Sequence, residues 1–294
     1  MQKLDFQRAV SALLAGALLV SCGRPEPTLL IAWTPDPAPA PGIPKYDHIV
    51  VVVEENRGYS NIIGNLTDAP FINKTLVPEA AVMTNFHAEA HPSEPNYFAL
   101  YAGSTFDVRD NKNYSEPGPT TETVLHAGGK SFFGYVESSG TTSAPRKHNP
   151  WESFPEGVTV EKDFSSFPSD FARLPAVCWV IPNLNDDMHN GTILQGDQWL
   201  GLHLASYARW ALTNKSLLVI TWDEDETDNP VPNQIPTLII GQYVKPGRFS
   251  ENVNHYNLLA TILASQNMKG PRNAATAAPI SDIFRAAAPP TSTP

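Results

Sequence analysis

Three stretches of this 294-residue chain end an apolar run in a burst of ligand-type residues. Glu54, Glu55, Asn56 and Arg57 follow HIVVVV, Asn185, Asp186, Asp187 and His189 follow VCWVI, and Asp223, Glu224 and Asp225 follow LLVITW. Acids after one strand are ordinarily a solvated loop, but their recurrence after three is harder to dismiss. Carboxylates delivered to one place repel each other and resist burial unless a cation sits among them. Oxygen ligands with one or two imidazoles suit a divalent metal cation, Zn²⁺, Mn²⁺, Mg²⁺ or Ca²⁺, and residue types alone do not choose among these.

A fourth stretch, HPSEPNYFALYAGS, places Ser93 just before an apolar helical run. The plain role for that serine is a helix N-cap. The same position lies among free backbone N–H groups at the positive end of a helix, where a phosphoryl group would be held. Beside a cation, the hydroxyl would also lose its proton more readily and attack phosphorus. Lys147 and His148 in RKHNPW either contact phosphate or protonate a leaving oxygen, the alternative being a solvated loop. His91 lies two residues from Ser93 and is a further candidate, whereas His87, His126 and His203 lack such context and read as structural or exposed.

These residues need a scaffold that brings strand ends together. Four consecutive valines, Val50 to Val53, fit a strand buried on both faces, the kind found in parallel sheets covered by helices. Strands are expected at 48–53, 80–85, 131–136, 177–181, 217–221 and 236–240, and helices at 95–102, 195–212 and 256–265. The alternation predicts an α/β fold, a mainly parallel central sheet with helices on both faces. In such sheets ligands bind at the carboxyl ends of the strands, where the acids fall. Trp199, Leu202, Tyr207 and Trp210 are expected to form one core-facing stripe of the long helix.

With 41% hydrophobic residues the chain can bury one large core. Its net charge of −10 argues against a non-specific grip on nucleic acid or on an anionic membrane.

HIVVVVEENRGYSN, HPSEPNYFALYAGS, KHNPW, NDDMHNG, GDQWL, LLVITWDEDE and NHYNLLATI, in this order, resemble the bacterial phosphoesterase family, which holds secreted acid phosphatases and non-specific phospholipases C within the alkaline phosphatase-like superfamily. The resemblance spans roughly residues 46–284. It implies metal ligation by Glu55 and Asn56, a nucleophile at Ser93 that also ligates, an acidic pair at Asp223 and Glu224, a late histidine ligand at His255, and Asp186 or Asp187 with His189 in the middle. It also implies that Asn113 donates to the phosphoryl oxygen, with a lone loop Asn as the alternative. Related phospholipases read DEHGG where this chain reads DEDET, so a histidine role is missing there. The expected activity is metal-dependent hydrolysis of phosphate monoesters, of a small molecule or a lipid headgroup, with no nucleic-acid partner. The alternatives are a phospholipase C-like phosphodiesterase and a non-catalytic, cation-binding surface lipoprotein.

The amino terminus carries Lys3 and Arg8, an apolar run from Ala9 to Val20, and the lipobox-like LVSC ending at Cys22. This reads as a lipoprotein signal peptide at 1–21 with Cys22 as lipid anchor. A Pro-rich tether at 22–45, a phosphoesterase domain at 46–285 and a tail at 286–294 follow. Cys178 is then left as a buried, apolar-like thiol, the alternative being a disulfide to Cys22. The chain is expected to be exported, either anchored to the membrane at the cell envelope through Cys22 or secreted. Metabolic labelling with a fatty acid should mark the wild type and leave Cys22→Ala unlabelled, whereas an unlabelled wild type rejects the anchor.

Overall fold

The structure is a computed structural model that describes residues 42–155, 160–227 and 232–285. The leader, Cys22, most of the tether and the tail lie outside the described residues. The strands are β1 (His48–Glu54), β2 (Ala81–Met83), β3 (Phe86–His87), β4 (Phe132–Val136), β5 (Glu161–Asp163), β6 (Val177–Ile181), β7 (Ser216–Trp222), β8 (Thr237–Gly241), β9 (Gly247–Phe249) and β10 (Val253–Asn254). The helices are α1 (Tyr59–Ile62), α2 (Glu94–Ala102), α3 (Thr121–Ala127), α4 (Ile193–Ala211) and α5 (His255–Ser265). All six expected strands and all three expected helices are present. The short strands β5, β9, β3 and β10 are too brief to leave a periodic signal.

Eight strands form one sheet in the order β5-β4-β6-β1-β7-β8-β2-β9, and β3 pairs with β10 separately. From β5 to β7 every pairing is parallel, while β8 runs antiparallel to β7 and β2. The expected mainly parallel α/β sheet is therefore observed. β1 lies at its centre between β6 and β7, and Ile49 to Val53 are buried. No helix among the described residues is long and apolar enough to cross a membrane.

Helix α2 is buried along its whole length and packs against α5. It ends at Gly103 with φ +71°, where an added Cβ would meet the Pro271 carbonyl oxygen at 2.2 Å. Only glycine meets both demands.

The stripe on α4 requires one correction. Trp199 and Tyr207 are buried and Trp210 is half-buried, but Leu202 is 81% exposed. The core face runs through Leu200, Leu204, Tyr207 and Ala211. At about 100° per residue Leu202 falls on roughly the opposite side of the helix from Leu200.

Asp197, from the GDQWL stretch, is buried and accepts the backbone N–H groups of Phe71 at 2.9 Å and Ile72 at 2.8 Å. It thus holds the start of the turn Ile72–Leu76 against α4. Asp197→Ala leaves two donors without that acceptor, and each charge-assisted bond contributes about 1.5–3 kcal/mol. Urea unfolding should show a lower midpoint with an unchanged slope, and turnover per folded molecule should not change.

Candidate active site

Backbone register brings the three acidic strand ends together. Val53 pairs with Thr221 and Glu54 with Trp222, so Glu55 and Asp223 leave β1 and β7 side by side. The Asp223 amide donates to the Glu54 carbonyl at 3.1 Å, and the Glu55 amide donates to the Asp187 carbonyl at 2.8 Å. Asn56 turns the chain at φ 51°, a left-handed conformation that asparagine tolerates, and its amide donates to Asp223 Oδ1 at 3.0 Å.

Ser93 reaches this cluster from the start of α2. Its side chain makes no capping bond, and its backbone is already helical, so the N-cap role is not the one it fills. Instead Ser93 Oγ donates toward Glu224 Oε1 at 3.1 Å and Glu55 Oε2 at 3.3 Å. One turn further along α2, Tyr97 donates to Glu55 Oε1 at 2.5 Å and stacks on His148 with ring centroids 5.3 Å apart. His91 Nδ1 lies 2.5 Å from Glu224 Oε2.

His148 sits beneath this layer with no solvent exposure. Its Nε2 is 2.9 Å from Glu55 Oε1 and its Nδ1 is 3.4 Å from Asp187 Oδ2, yet neither nitrogen makes a hydrogen bond. Asp187 Oδ2 and Asp223 Oδ2 are also buried and without a hydrogen bond. Burial raises the carboxyls of Glu55, Asp187, Asp223 and Glu224 above the usual range. Neighbouring carboxylates add to this: Glu55 acts on Asp187 and Asp223, and Asp223 and Glu55 act on Glu224. Burial likewise holds the His148 imidazole below its ordinary value. Repelling acids beside orphaned lone pairs are the donor set of a cation site. Glu55, His148 and His189 each offer an atom within 4.8 Å of the others, and these residues fit a divalent ion.

A cavity of about 310 Å³ opens over Ser93, lined among others by Asn56, Arg57, Lys147, His189 and Glu224. Of the expected site residues, Glu55, Asn56, Ser93, Asp187, His189, Asp223 and Glu224 come together. Three others are placed elsewhere, and His148 takes a different position from the one its expected chemistry needs. Asp186 accepts from Asn183 Nδ2 at 2.7 Å and Gln195 Nε2 at 3.0 Å, outside the cluster. His255 has both ring nitrogens engaged, Nδ1 2.5 Å from Glu89 Oε2 and Nε2 3.0 Å from the Trp222 carbonyl. Burial alone would lower that imidazole, but the Glu89 carboxylate raises it, and both ring nitrogens lie within hydrogen-bond distance of an oxygen. Asn113 is exposed and accepts from Arg146 Nε at 2.8 Å. The cavity is lined instead by Asn111, whose Oδ1 accepts the Glu94 amide at 3.0 Å. His148, fully buried, cannot reach a leaving oxygen and serves the cluster from below.

Two residues escaped the sequence reading. Tyr97 could have been found, because it lies four residues after Ser93 and so on the same helix face. Asn111 could not, since nothing in RDNKNY separates its first asparagine from its second.

The model of the phosphoesterase family matches residues 67–269. The chain is 43% identical over 289 residues to the phosphatidylinositol-3-phosphatase of Mycobacterium tuberculosis, covering 94% of this chain and 93% of the relative. It is 29% identical over 224 residues to an acid phosphatase of Aspergillus fumigatus, covering 65% of this chain and 49% of that longer protein. Among solved structures, a protein of the alkaline phosphatase superfamily from Vibrio parahaemolyticus superposes with TM-score 0.59 at 17% identity, covering 83% of this chain and 71% of the other. The lipoteichoic acid synthase LtaP of Listeria monocytogenes superposes with TM-score 0.59 at 10% identity, covering 76% and 73%. These two share the fold. The sheet, the strand-end cluster and a family match over more than half of the chain agree: this protein belongs to the phosphoesterase family and is a phosphoric ester hydrolase.

Proposed function

We propose that the enzyme hydrolyses phosphate monoesters, with Ser93 as nucleophile in a site that needs a divalent cation. The observation that carries this reading is the position of Ser93 Oγ, buried at the floor of the cavity between Glu55 and Glu224. A serine used only for capping would turn its hydroxyl to the α2 amides. Glu55, Asn56, Asp223 and Glu224 would hold the cation with Ser93, and the buried His148 and Asp187, together with His189, would complete or brace the set. A divalent ion bound there would stabilise the serine alkoxide and draw charge from the phosphoryl group.

In this reading Glu224 takes the serine proton as Oγ bonds to phosphorus, and the alkoxide departs with the bonding pair and takes its proton from water. Water then cleaves the phosphoserine and releases phosphate. Tyr97 holds Glu55 in place through the reaction. The substrate named for the Mycobacterium relative makes phosphatidylinositol 3-phosphate the first lipid to try, and a chromogenic monoester the first small molecule. Export and a lipid anchor at Cys22 would place such an enzyme at a membrane face, a reading that rests on the amino-terminal sequence alone.

Ser93→Ala and Ser93→Asp should both lower kcat by about 10³-fold or more, because no other hydroxyl can take the place. Rapid quench with a labelled monoester should trap phosphate on Ser93 in the wild type. An active Ser93→Asp variant, or full turnover with no trapped phosphoserine, refutes the nucleophile.

Removal of metal, checked by elemental analysis, should abolish turnover of a monoester and of the matching diester, and re-addition should restore it. Asp223→Asn and Glu55→Gln should lose both metal and activity while keeping a folded apo form, since each removes like-charge repulsion from an empty cluster. Full activity at metal content near zero sinks the cation requirement.

A further inference from the structure

The cavity over Ser93 presents a problem for the substrate proposed above. Its acidic lining, Glu224, Asp225 and Glu226, together with Glu55 and Asp223 below, would repel a phosphoryl group carrying two negative charges. Arg57 and Lys147 are the fixed cations among the lining residues. Arg57 is already committed, donating to the carbonyls of Asn56 at 2.9 Å, Met188 at 2.7 Å and Gly191 at 3.3 Å. Its guanidinium braces the loop that carries Asp187 and His189.

Lys147 is differently placed. Among the described residues it has no carboxylate within ion-pair distance, and its Nζ lies 3.5 Å from Ser93 Oγ and 3.2 Å from His189 Nε2. His189 Nδ1 is 2.8 Å from Asn190 Oδ1. That arrangement assigns the ring proton to Nδ1 and leaves Nε2 to accept from the ammonium. The neighbours of Lys147 on its turn, Arg146–His148, are both anchored. Arg146 NH2 pairs with the buried Glu94 at 2.5 Å, the residue next to Ser93, and its guanidinium also bonds Ser153 and Asn113. His148 is fixed under Glu55. An ammonium held over a hydroxyl from both sides is not an ordinary solvated surface charge.

We propose that Lys147 is a catalytic residue: its ammonium grips a non-bridging phosphoryl oxygen while Ser93 attacks, and so selects doubly charged monoesters over singly charged diesters. The inference rests on the reading of Ser93 as nucleophile. The lysine keeps all three protons. The Oγ–P bond forms, the P–O bond to the alcohol breaks, and the serine proton goes to Glu224. Attraction to a fixed cation scales with the charge it meets, so a dianion gains more than a monoanion, and the gain is largest away from bulk water.

The test uses metal-loaded wild type, Lys147→Met and Lys147→Arg with p-nitrophenyl phosphate and bis(p-nitrophenyl) phosphate. Lys147→Met should lose about 10²–10³-fold in kcat/KM for the monoester. Its loss for the diester, read as turnover or as competitive inhibition, should be at least about tenfold smaller. Lys147→Arg should recover part of the monoester activity, because it keeps the charge on a different shape. Calorimetry with inorganic phosphate should give a Kd at least about tenfold weaker for Ser93→Ala/Lys147→Met than for Ser93→Ala. Equal losses on both esters, unchanged phosphate affinity, or monoester activity within twofold of wild type would each overturn the proposal. Failure of the nucleophile reading looks different, because wild type then traps no phosphoserine while the Lys147 effects on phosphate affinity and ester preference persist.

Discussion

Mutual repulsion among carboxylates at the ends of β1, β6 and β7 is the constraint around which the rest of the molecule is arranged. Parallel register forces the convergence, since the Glu55 amide is tied to the Asp187 carbonyl and the Asp223 amide to the Glu54 carbonyl. The strands cannot slip to relieve it without turning buried valines and isoleucines out of the core. The charge is therefore managed where it lies, by Tyr97 and Ser93 donating to Glu55 and by His91 beside Glu224, while Asp187 Oδ2 and Asp223 Oδ2 stay buried without a hydrogen bond. Glu54, one residue earlier, is also buried without a hydrogen bond, its carboxyl pushed well up by burial and then by Asp187.

Much of this arrangement was legible in the chain itself. Four consecutive valines specify a doubly buried strand, and three apolar runs ending in acids place those acids at one edge of a parallel sheet. The contributions of side chains arriving from elsewhere were not legible. Whether Asp186 or Asp187 faces the cluster depends on a loop turning at Met188 with φ 76°, which no local pattern encodes. His255 looked like a ligand because its neighbours fit, but Glu89, more than 160 residues away in sequence, claims its ring. Leu202 was misplaced for a simpler reason. It is apolar like the core residues of α4, but its angle around the helix carries it to the solvent side.

The site also depends on how α2 is mounted. This helix is buried on every side, carries Ser93 at its start and Tyr97 one turn on, and is held at its first residue through Glu94 and Arg146. Burial makes it a rigid carrier, so the hydroxyl and the phenol that face Glu55 keep a constant separation. Groups on regular elements are better fixed than those on loops, and here the loop residues His189 and Asn111 are secured by side-chain or backbone bonds of their own.

The turn Arg146–His148 joins these parts in a way that its length conceals. With about three residues per turn, consecutive side chains of a 3₁₀ helix leave its axis in three directions. Arg146 goes to the mount of α2, Lys147 to the cavity, and His148 into the interior under Glu55. One turn of backbone is thus a three-way joint between scaffold, pocket and buried cluster. Inserting or deleting a single residue there would rotate all three attachments by roughly 120° at once. The exposed stretch just before it, around Gly140 and Thr141, bears no such load, so a change of chain length there would leave the three attachments in place.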